Sequence, residues 1–82
     1  MEDLKKMLQE NRVVMGADIV LRKLRIGELK KVYLASNCPK NLREDIKHLS
    51  KIHNISVVEA KEDNEALGTI CRKPFSISVL AY

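Results

Sequence analysis

The spacing of hydrophobic residues predicts four helices along the chain. The first ten residues place Leu4, Met7 and Leu8 on one helical face. A second helix is predicted to begin at Ala17 and to stop at Gly27, a residue type that often ends helices. The third and fourth helices are predicted from two further sets with the same spacing: Leu42, Ile46, Leu49 and Ile52, then Ala66, Leu67, Ile70 and Cys71.

Polar residues mark where the third and fourth helices begin. Asn41 and Glu44 stand three residues apart, which resembles a capping box at the start of the third helix. That helix should end near Asn54. The acidic residues within 62–65 lie where a helix N-terminus favours negative charge, so they predict the start of the fourth helix.

Four short apolar segments between or after the helices predict strands over residues 13–15, 32–35, 55–58 and 75–81. The second is a continuous apolar run, typical of a strand buried on both faces. The fourth alternates apolar residues with Ser76 and Ser78, a period of two. Because helices and strands alternate along the chain, we predict an α/β fold in which helices cover both faces of one sheet, an α/β/α sandwich.

The basic residues are concentrated in the first part of the chain. Its 82 residues hold 15 Lys and Arg against 11 Asp and Glu, a net charge of +4, and we predict one domain over residues 1–82. Residues 1–50 have 11 basic and 7 acidic side chains, whereas residues 51–82 have 4 of each. The excess is densest at five positions: Arg22, Lys23, Arg25, Lys30 and Lys31. Such a stripe suits RNA or DNA, and a solvated helix face explains it equally well.

The composition argues against a membrane protein, a metalloprotein and an enzyme. The apolar runs are too short to cross a bilayer, and the acidic start is unlike a signal peptide. Two cysteines without a disulfide framework indicate a reducing, cytosolic compartment. The glycines form no phosphate-binding loop, and no metal-ligand spacing is present, so we expect no cofactor. Cys38, ten residues before His48, is a candidate nucleophile, although a thiol that fills a turn is the simpler interpretation.

Three predicted loops have residues suited to an unstacked nucleic acid, and each also has a structural explanation. Gly16 precedes a helix N-terminus, whose free N–H groups can hold a phosphate, but a turn alone would also use glycine. Asn37 offers a donor and an acceptor to a base edge, and asparagine beside proline is also common in turns. Arg72 and Lys73 lie near Phe75, whose ring could stack on a base or belong to a strand core. With this element order, the three loops should meet at one end of the sandwich.

Five stretches are distinctive in combination: Met-Gly-Ala at residues 15–17, Leu-Ala-Ser-Asn-Cys-Pro at 34–39, Arg-Glu-Asp-Ile at 43–46, Glu-Ala-Leu-Gly-Thr at 65–69 and Lys-Pro-Phe-Ser-Ile-Ser-Val-Leu-Ala at 73–81. Together they resemble the archaeal form of the ribosomal L30e family, part of the L7Ae superfamily of kink-turn RNA-binding proteins. The resemblance implies a three-layer α/β/α sandwich with a mixed four-stranded sheet. It also implies a cytoplasmic component of the large ribosomal subunit, bound to ribosomal RNA beside neighbouring ribosomal proteins, with no catalytic activity and no small-molecule substrate.

The resemblance further implies which residues contact RNA. In that family the contacts come from the same three loops, which gives these positions here: Gly16, Ala17, Asp18, Asn37, Lys73 and Phe75. Arg22 and Lys23, one turn into the second helix, are placed to touch phosphates, and Arg72 adds a cation to the last loop. Relatives usually have a basic or amide residue in place of Asp18, and we expect this aspartate to cap the helix. Glycine is common in place of Arg72, so the last loop could follow a different path.

Other functions stay open on the sequence alone. A particle built on a guide RNA or a ribonuclease RNA could use the same superfamily fold. Relatives of that kind have an Asn-Glu pair where this chain has Asp18 and Ile19, which favours the ribosome. A protein-interaction module on this fold would need an exposed apolar patch, of which the sequence gives little sign. An enzyme that uses Cys38 is the most distant alternative.

Overall fold

The computed structural model describes residues 2–10 and 12–82, in which helices and strands alternate as the sequence predicted. The helices are α1 (Glu2–Gln9), α2 (Ala17–Arg25), α3 (Lys40–Ile52) and α4 (Asn64–Ile70), and the strands are β1 (Val14–Met15), β2 (Lys31–Leu34), β3 (Ser56–Glu59) and β4 (Val79–Ala81). The side chain of Leu4, predicted to face the core, lies outside the described residues. Within the described ranges, no helix is long and apolar enough to span a bilayer.

The strands form one mixed four-stranded sheet in the order β1-β4-β2-β3. β4 is antiparallel to both of its neighbours, with Met15 opposite Leu80 and Leu34 opposite Val79. β2 and β3 are parallel and are joined through α3. The C-terminal ends of β1, β2 and β3 and the N-terminal end of β4 therefore lie at the same edge of the sheet.

Different helices cover the two faces of the sheet, which confirms the α/β/α sandwich. Along β2, Val32 and Leu34 belong to one buried cluster, while Tyr33 between them belongs to another. The first cluster includes residues of α2 and α3: Val20, Leu24 and Ile46. The second includes Leu67 of α4, and Leu8 of α1 packs against it. β2 is thus buried on both faces, as its apolar run predicted, and each buried aliphatic side chain contributes about 1.5–3 kcal/mol.

The last strand is shorter than the alternation predicted. β4 covers only Val79–Ala81, and residues 72–78 form an irregular segment. Ile77 is buried, but its N–H donates to the Asn64 carbonyl oxygen of α4 at 2.9 Å instead of pairing within the sheet. The period of two therefore reflects packing of this segment against a helix as well as strand pairing.

The predicted capping box of the third helix is wrong. α3 begins at Lys40 with Pro39 at its N-cap, so Asn41 and Glu44 lie inside the helix. The Pro39 side chain has no hydrogen-bond acceptor, so no side chain caps this helix. The proline ring instead fixes the backbone φ at the N-cap, which is −55°. Ile52, predicted to face the core, is the last helical residue and is 60% exposed.

Two other helix boundaries follow the sequence prediction. At the start of α4, Asp63 Oδ1 accepts a hydrogen bond from the Ala66 N–H at 2.8 Å, the capping contact that acidic residues favour. After α2, Gly27 has a φ of +69°, which explains why the helix stops there.

Candidate nucleic-acid interface

Three connecting segments meet at the edge where β1 and β2 end. They are the first loop (residues 15–18), the second loop (35–39) and the end of the third loop (71–78), and we call this surface the loop edge. The Gly16 N–H donates to the Val79 carbonyl oxygen at 3.1 Å, and the Ala35 N–H donates to that of Ser78 at 2.9 Å. The start of β4 thus holds the first and second loops side by side, as the element order predicted.

The first loop presents the N-terminus of α2 to the surface. Gly16 is the exposed N-cap residue, and its φ of +105° is one that residues with a side chain rarely adopt. The Val20 N–H donates to the Gly16 carbonyl oxygen at 3.1 Å, which begins the helical hydrogen bonds. The N–H groups of residues 17–19 come before that bond and have no partner within the helix. A Cβ atom at Gly16 would meet nothing within 4 Å, so a ligand can approach this backbone closely.

The side chains of Ala17 and Asp18 play different parts from those expected. Ala17 packs against the first core cluster, so only its backbone faces the loop edge. Asp18 does not cap α2, because Gly16 holds the N-cap position and no side chain provides a cap. Instead Asp18 lies exposed in the first turn, where a negative charge interacts favourably with the helix dipole.

The second loop is tied to α4 through Asn37. Its Nδ2 donates to Asn64 Oδ1 at 2.9 Å, and its Oδ1 accepts from the Asn64 N–H at 2.9 Å. The Ser36 N–H also donates to the Glu62 carbonyl oxygen at 2.8 Å. Asn37 is therefore more than a turn residue, yet half of its hydrogen-bonding capacity is used inside the protein. One N–H and one oxygen lone pair of its amide stay available to a ligand.

The environment of Cys38 is unlike that of a nucleophile. The residue is 6% exposed, and burial raises the pKa of its thiol, although the nearby Arg43 guanidinium acts in the opposite direction. A raised pKa leaves little thiolate near neutral pH. The expectation that Cys38 fills a turn fits this placement.

The third loop starts with Arg72 in an unusual backbone conformation. Arg72 has a φ of +57°, and its N–H donates to the Thr69 carbonyl oxygen at 3.0 Å, while the Lys73 N–H donates to that of Gly68 at 2.9 Å. This is the left-handed helix ending that glycine normally provides. Arg72 thus adopts the backbone conformation that a glycine would favour.

The third loop then runs back along α4 towards the sheet. Arg72 lies beside α1, where it lines a groove together with Lys5 and Leu8. Phe75 is 55% exposed and borders a separate, shallow groove with Lys73. The Ile77 N–H donates a hydrogen bond to the Asn64 carbonyl oxygen, so the third loop reaches the loop edge only at its end. Arg72, near the far end of α4, lies about 12 Å along the helix from Asn64.

The basic stripe lies only partly at the loop edge. Because α2 runs away from Gly16, Arg25 lies about 13 Å along the helix from the first loop, and Lys30 lies near the opposite edge of the sheet. Lys23 Nζ is 3.5 Å from Glu28 Oε2, which draws its charge towards the C-terminal end of α2. Arg22, exposed one turn into the helix, is the member of the stripe best placed for a ligand at the loop edge.

Two residues that position the loops, Asn64 and Gly68, were missed by the sequence analysis. Asn64 is hydrogen-bonded to Asn37 of the second loop and to Ile77 of the third loop. Gly68 lies buried inside α4, and a Cβ atom there would overlap the carbonyl oxygen of Phe75. Glycine within a helix usually has a packing reason, so Gly68 could have been noticed from the sequence. No comparable signal marks Asn64, since its role depends on a residue 27 positions away.

Comparison with known proteins identifies the family. The model of the ribosomal protein L7Ae/L30e/S12e/Gadd45 family matches residues 1–82. The chain belongs to this family. It is 37% identical to the large ribosomal subunit protein eL30 of Saccharolobus solfataricus over 79 residues, which cover 96% of this chain and 73% of the relative. It is 39% identical to eL30 of Methanocaldococcus jannaschii over 69 residues, 84% of this chain and 63% of the relative. The resemblance to archaeal L30e proteins is thereby confirmed.

Solved structures share the same fold at low sequence identity. A Bacillus halodurans protein of unknown function superposes with a TM-score of 0.85 at 17% identity, covering 95% of this chain and 77% of its own. A 15.5 kDa RNA-binding protein of Giardia lamblia gives a TM-score of 0.76 at 19% identity, covering 94% of this chain and 64% of its own. These likenesses establish the architecture of the chain.

Proposed function

We propose that this protein is a structural component of the large ribosomal subunit, where its loop edge binds ribosomal RNA at a kink-turn or a similar internal loop. Membership of the family and the archaeal eL30 relatives support the ribosomal assignment. The observation that supports the mode of binding is the meeting of three loops at the start of β4. Ribosomal RNA and neighbouring ribosomal proteins in the cytoplasm are the partners, and no catalytic step is involved.

An internal loop is the kind of RNA that this surface suits. An A-form duplex hides its base edges in a deep, narrow groove, whereas a kinked internal loop splays them out. The N–H groups of residues 17–19 would hold a phosphate or a base edge, and the free N–H of Asn37 would donate to a base. The exposed ring of Phe75 would support an unstacked base, a contact of about 1–3 kcal/mol.

The cations around the loop edge would contact the flanking backbones. Arg22 and Lys73 are exposed and stand on two different elements, α2 and the third loop. Arg72 and Lys23 would reach phosphates further from the kink, since they lie towards α1 and the end of α2. Binding in this way would favour a sharply bent RNA conformer that the free RNA populates only in part.

Binding assays with two RNAs test the proposal. One RNA contains a kinked internal loop, and the other is a plain duplex of equal length. We expect tighter binding of the kinked RNA and a steep fall in affinity as salt rises, because phosphate contacts release counterions. Asn37→Ala should weaken binding of the kinked RNA more than that of the duplex. Equal affinity of the wild-type protein for both RNAs, or a flat salt titration, would contradict the proposal.

A pair of lysine variants locates the binding surface. Lys73 belongs to the third loop, whereas Lys51 is an exposed lysine in the last turn of α3, at the opposite end of the molecule. Both substitutions remove one positive charge, so Lys73→Ala should lower affinity for the kinked RNA more than Lys51→Ala. Purification of native large subunits, followed by detection of this protein in them, tests the ribosomal assignment.

A further inference from the structure

Asn64, the first residue of α4, joins two of the three loops. We propose that Asn64 is a positioning residue for RNA binding, which couples the second loop to the third and so sets Asn37 and Phe75 relative to each other. The proposal rests on the proposed function of the loop edge and deepens it. No RNA contact of Asn64 itself is required.

The contacts of Asn64 point in two directions. Towards the second loop, its side-chain Oδ1 accepts from Asn37 Nδ2 at 2.9 Å, and its own N–H donates to Asn37 Oδ1 at 2.9 Å. Towards the third loop, its carbonyl oxygen accepts from the Ile77 N–H at 2.9 Å. The bond from the Asn64 N–H to Asn37 Oδ1 also gives a partner to one of the N–H groups that a helix N-terminus leaves unpaired. Loss of the amide pair would therefore loosen the start of α4 as well as the second loop.

The same face of α4 fixes the backbone at Phe75. Gly68 lies four residues after Asn64, which places the two on one side of the helix. The Phe75 carbonyl oxygen occupies the space where a Cβ atom of residue 68 would stand. Residues 75–77 are thus held at both ends against α4, by the close approach at Gly68 and by the hydrogen bond to Asn64. Through α4, the position of the Phe75 backbone depends on the contact between Asn64 and Asn37.

Preorganisation explains how such a contact would raise affinity. An exposed asparagine in a loop loses conformational freedom when it binds, which reduces the affinity gained from its hydrogen bond. Here the Asn37 amide is already oriented by two hydrogen bonds, with one N–H left for the RNA. The kinked RNA, which needs both Asn37 and Phe75 in place, benefits from this order. A plain duplex bound through phosphates does not.

Three substitutions test the coupling with the kinked RNA and the duplex. Asn64→Ala removes the side-chain Oδ1 but keeps the hydrogen bonds of the Asn64 N–H and carbonyl oxygen. We expect it to weaken binding of the kinked RNA about fivefold to tenfold and to leave binding of the duplex unchanged. The double variant with Asn37→Ala should bind no more weakly than Asn37→Ala alone. Phe75→Ala should reduce affinity less in the Asn64→Ala background than in the wild type. Asn64→Asp, which keeps the acceptor oxygen, should restore the preference for the kinked RNA over the duplex.

Asp63→Ala is the matched control. It removes a hydrogen bond at the same end of α4, from the Ala66 N–H, and leaves the contacts of Asn64 with Asn37 in place. We expect it to lower the unfolding midpoint while the ratio of the two RNA affinities stays unchanged. If Asp63→Ala changes this ratio as much as Asn64→Ala does, general loosening of α4 explains the effect and the positioning role is wrong.

Hydrogen exchange in the free protein tests the coupling without RNA. In Asn37→Ala, exchange of the Ile77 amide should be about tenfold faster than in the wild type. The Ile77 N–H donates to Asn64, which in this variant has lost its two hydrogen bonds to the Asn37 side chain. An unchanged rate at Ile77, or fully additive effects of Asn37→Ala and Asn64→Ala on RNA affinity, would overturn the inference. If the wild-type protein shows no preference for the kinked RNA, the proposed function fails, and the exchange rate alone then decides whether the two loops are coupled.

Discussion

Replacement of Gly68 by alanine separates intrinsic helix propensity from the packing of the third loop. Gly68 is a buried residue inside α4. Propensity alone predicts that Gly68→Ala stabilises the protein by about 1 kcal/mol, because glycine is a poor helix former. The structure predicts the opposite sign. The new Cβ atom would overlap the Phe75 carbonyl oxygen and lie 3.2 Å from its carbonyl carbon.

The size of the effect follows from what must move. The atoms that the new Cβ would meet belong to the backbone, so no neighbouring side chain can make room for it by changing its rotamer. Overpacking of this kind costs about 1–3 kcal/mol, and loss of the nearby hydrogen bond from Ile77 to Asn64 would add about 1 kcal/mol. After subtraction of the propensity gain, we expect a net loss of about 1–3 kcal/mol. That is a large part of the 5–15 kcal/mol, roughly, that stabilises an ordinary domain.

Urea denaturation followed by circular dichroism measures this loss. Thr69→Ala is the control, since Thr69 is the exposed neighbour on the same helix and its substitution inserts no atom against the third loop. We expect a lower midpoint for Gly68→Ala and a nearly unchanged one for Thr69→Ala. A midpoint for Gly68→Ala equal to or above that of the wild type would refute the close approach of Phe75 to α4.

Four further substitutions or conditions probe single features. Gly16→Ala should destabilise the protein by about 1–3 kcal/mol in urea denaturation, because φ is +105° there although no atom obstructs a Cβ; unchanged stability would contradict this. Arg72→Gly should raise stability by up to about 1 kcal/mol, since it relieves a φ of +57°; a loss would show that the arginine side chain has a stabilising contact. Ser50→Ala should raise the free energy of unfolding by about 1 kcal/mol, because the buried Ser50 hydroxyl finds no hydrogen-bond partner among the described residues; a marked loss would reveal one. Burial raises the Cys38 pKa above 9.0, so the folded state holds the thiol proton more tightly and stability should decline as pH rises past 9.0, less so in Cys38→Ala; rapid alkylation at neutral pH would contradict the raised pKa.

The layered fold could be predicted because its signals are local and periodic. The helical spacing at Val20 and Leu24 and the apolar run of β2 each specify a buried face within a few residues of sequence. The order of elements then restricts the architecture to helices on both sides of a sheet. The meeting of the three loops follows from this order, since connections after β1 and β2 and before an antiparallel β4 share one edge.

The details of the loop edge depend on contacts between distant residues, and sequence pattern does not report these. Half of the hydrogen-bonding capacity of the Asn37 amide is taken up by Asn64 of α4, a contact that the sequence around Asn37 does not indicate. The alternation before β4 looked like a strand because α4 buries Ile77 in the same way that a sheet would. The basic stripe looked continuous along the chain, yet α2 carries Arg25 away from Gly16 while Arg22 stays nearer.

Hydrogen exchange of the wild-type protein with and without a kinked internal-loop RNA tests most directly whether the loop edge is the binding surface. We expect slower exchange on RNA binding at residues 16–19, 36–38, 73 and 75–77. We expect no change around Gly27 and His53 at the opposite end of the sandwich, where a Cβ atom on Gly27 would lie 2.9 Å from His53 Nδ1. Slower exchange around Gly27 and His53, with none at the three loops, would contradict binding of RNA at the loop edge.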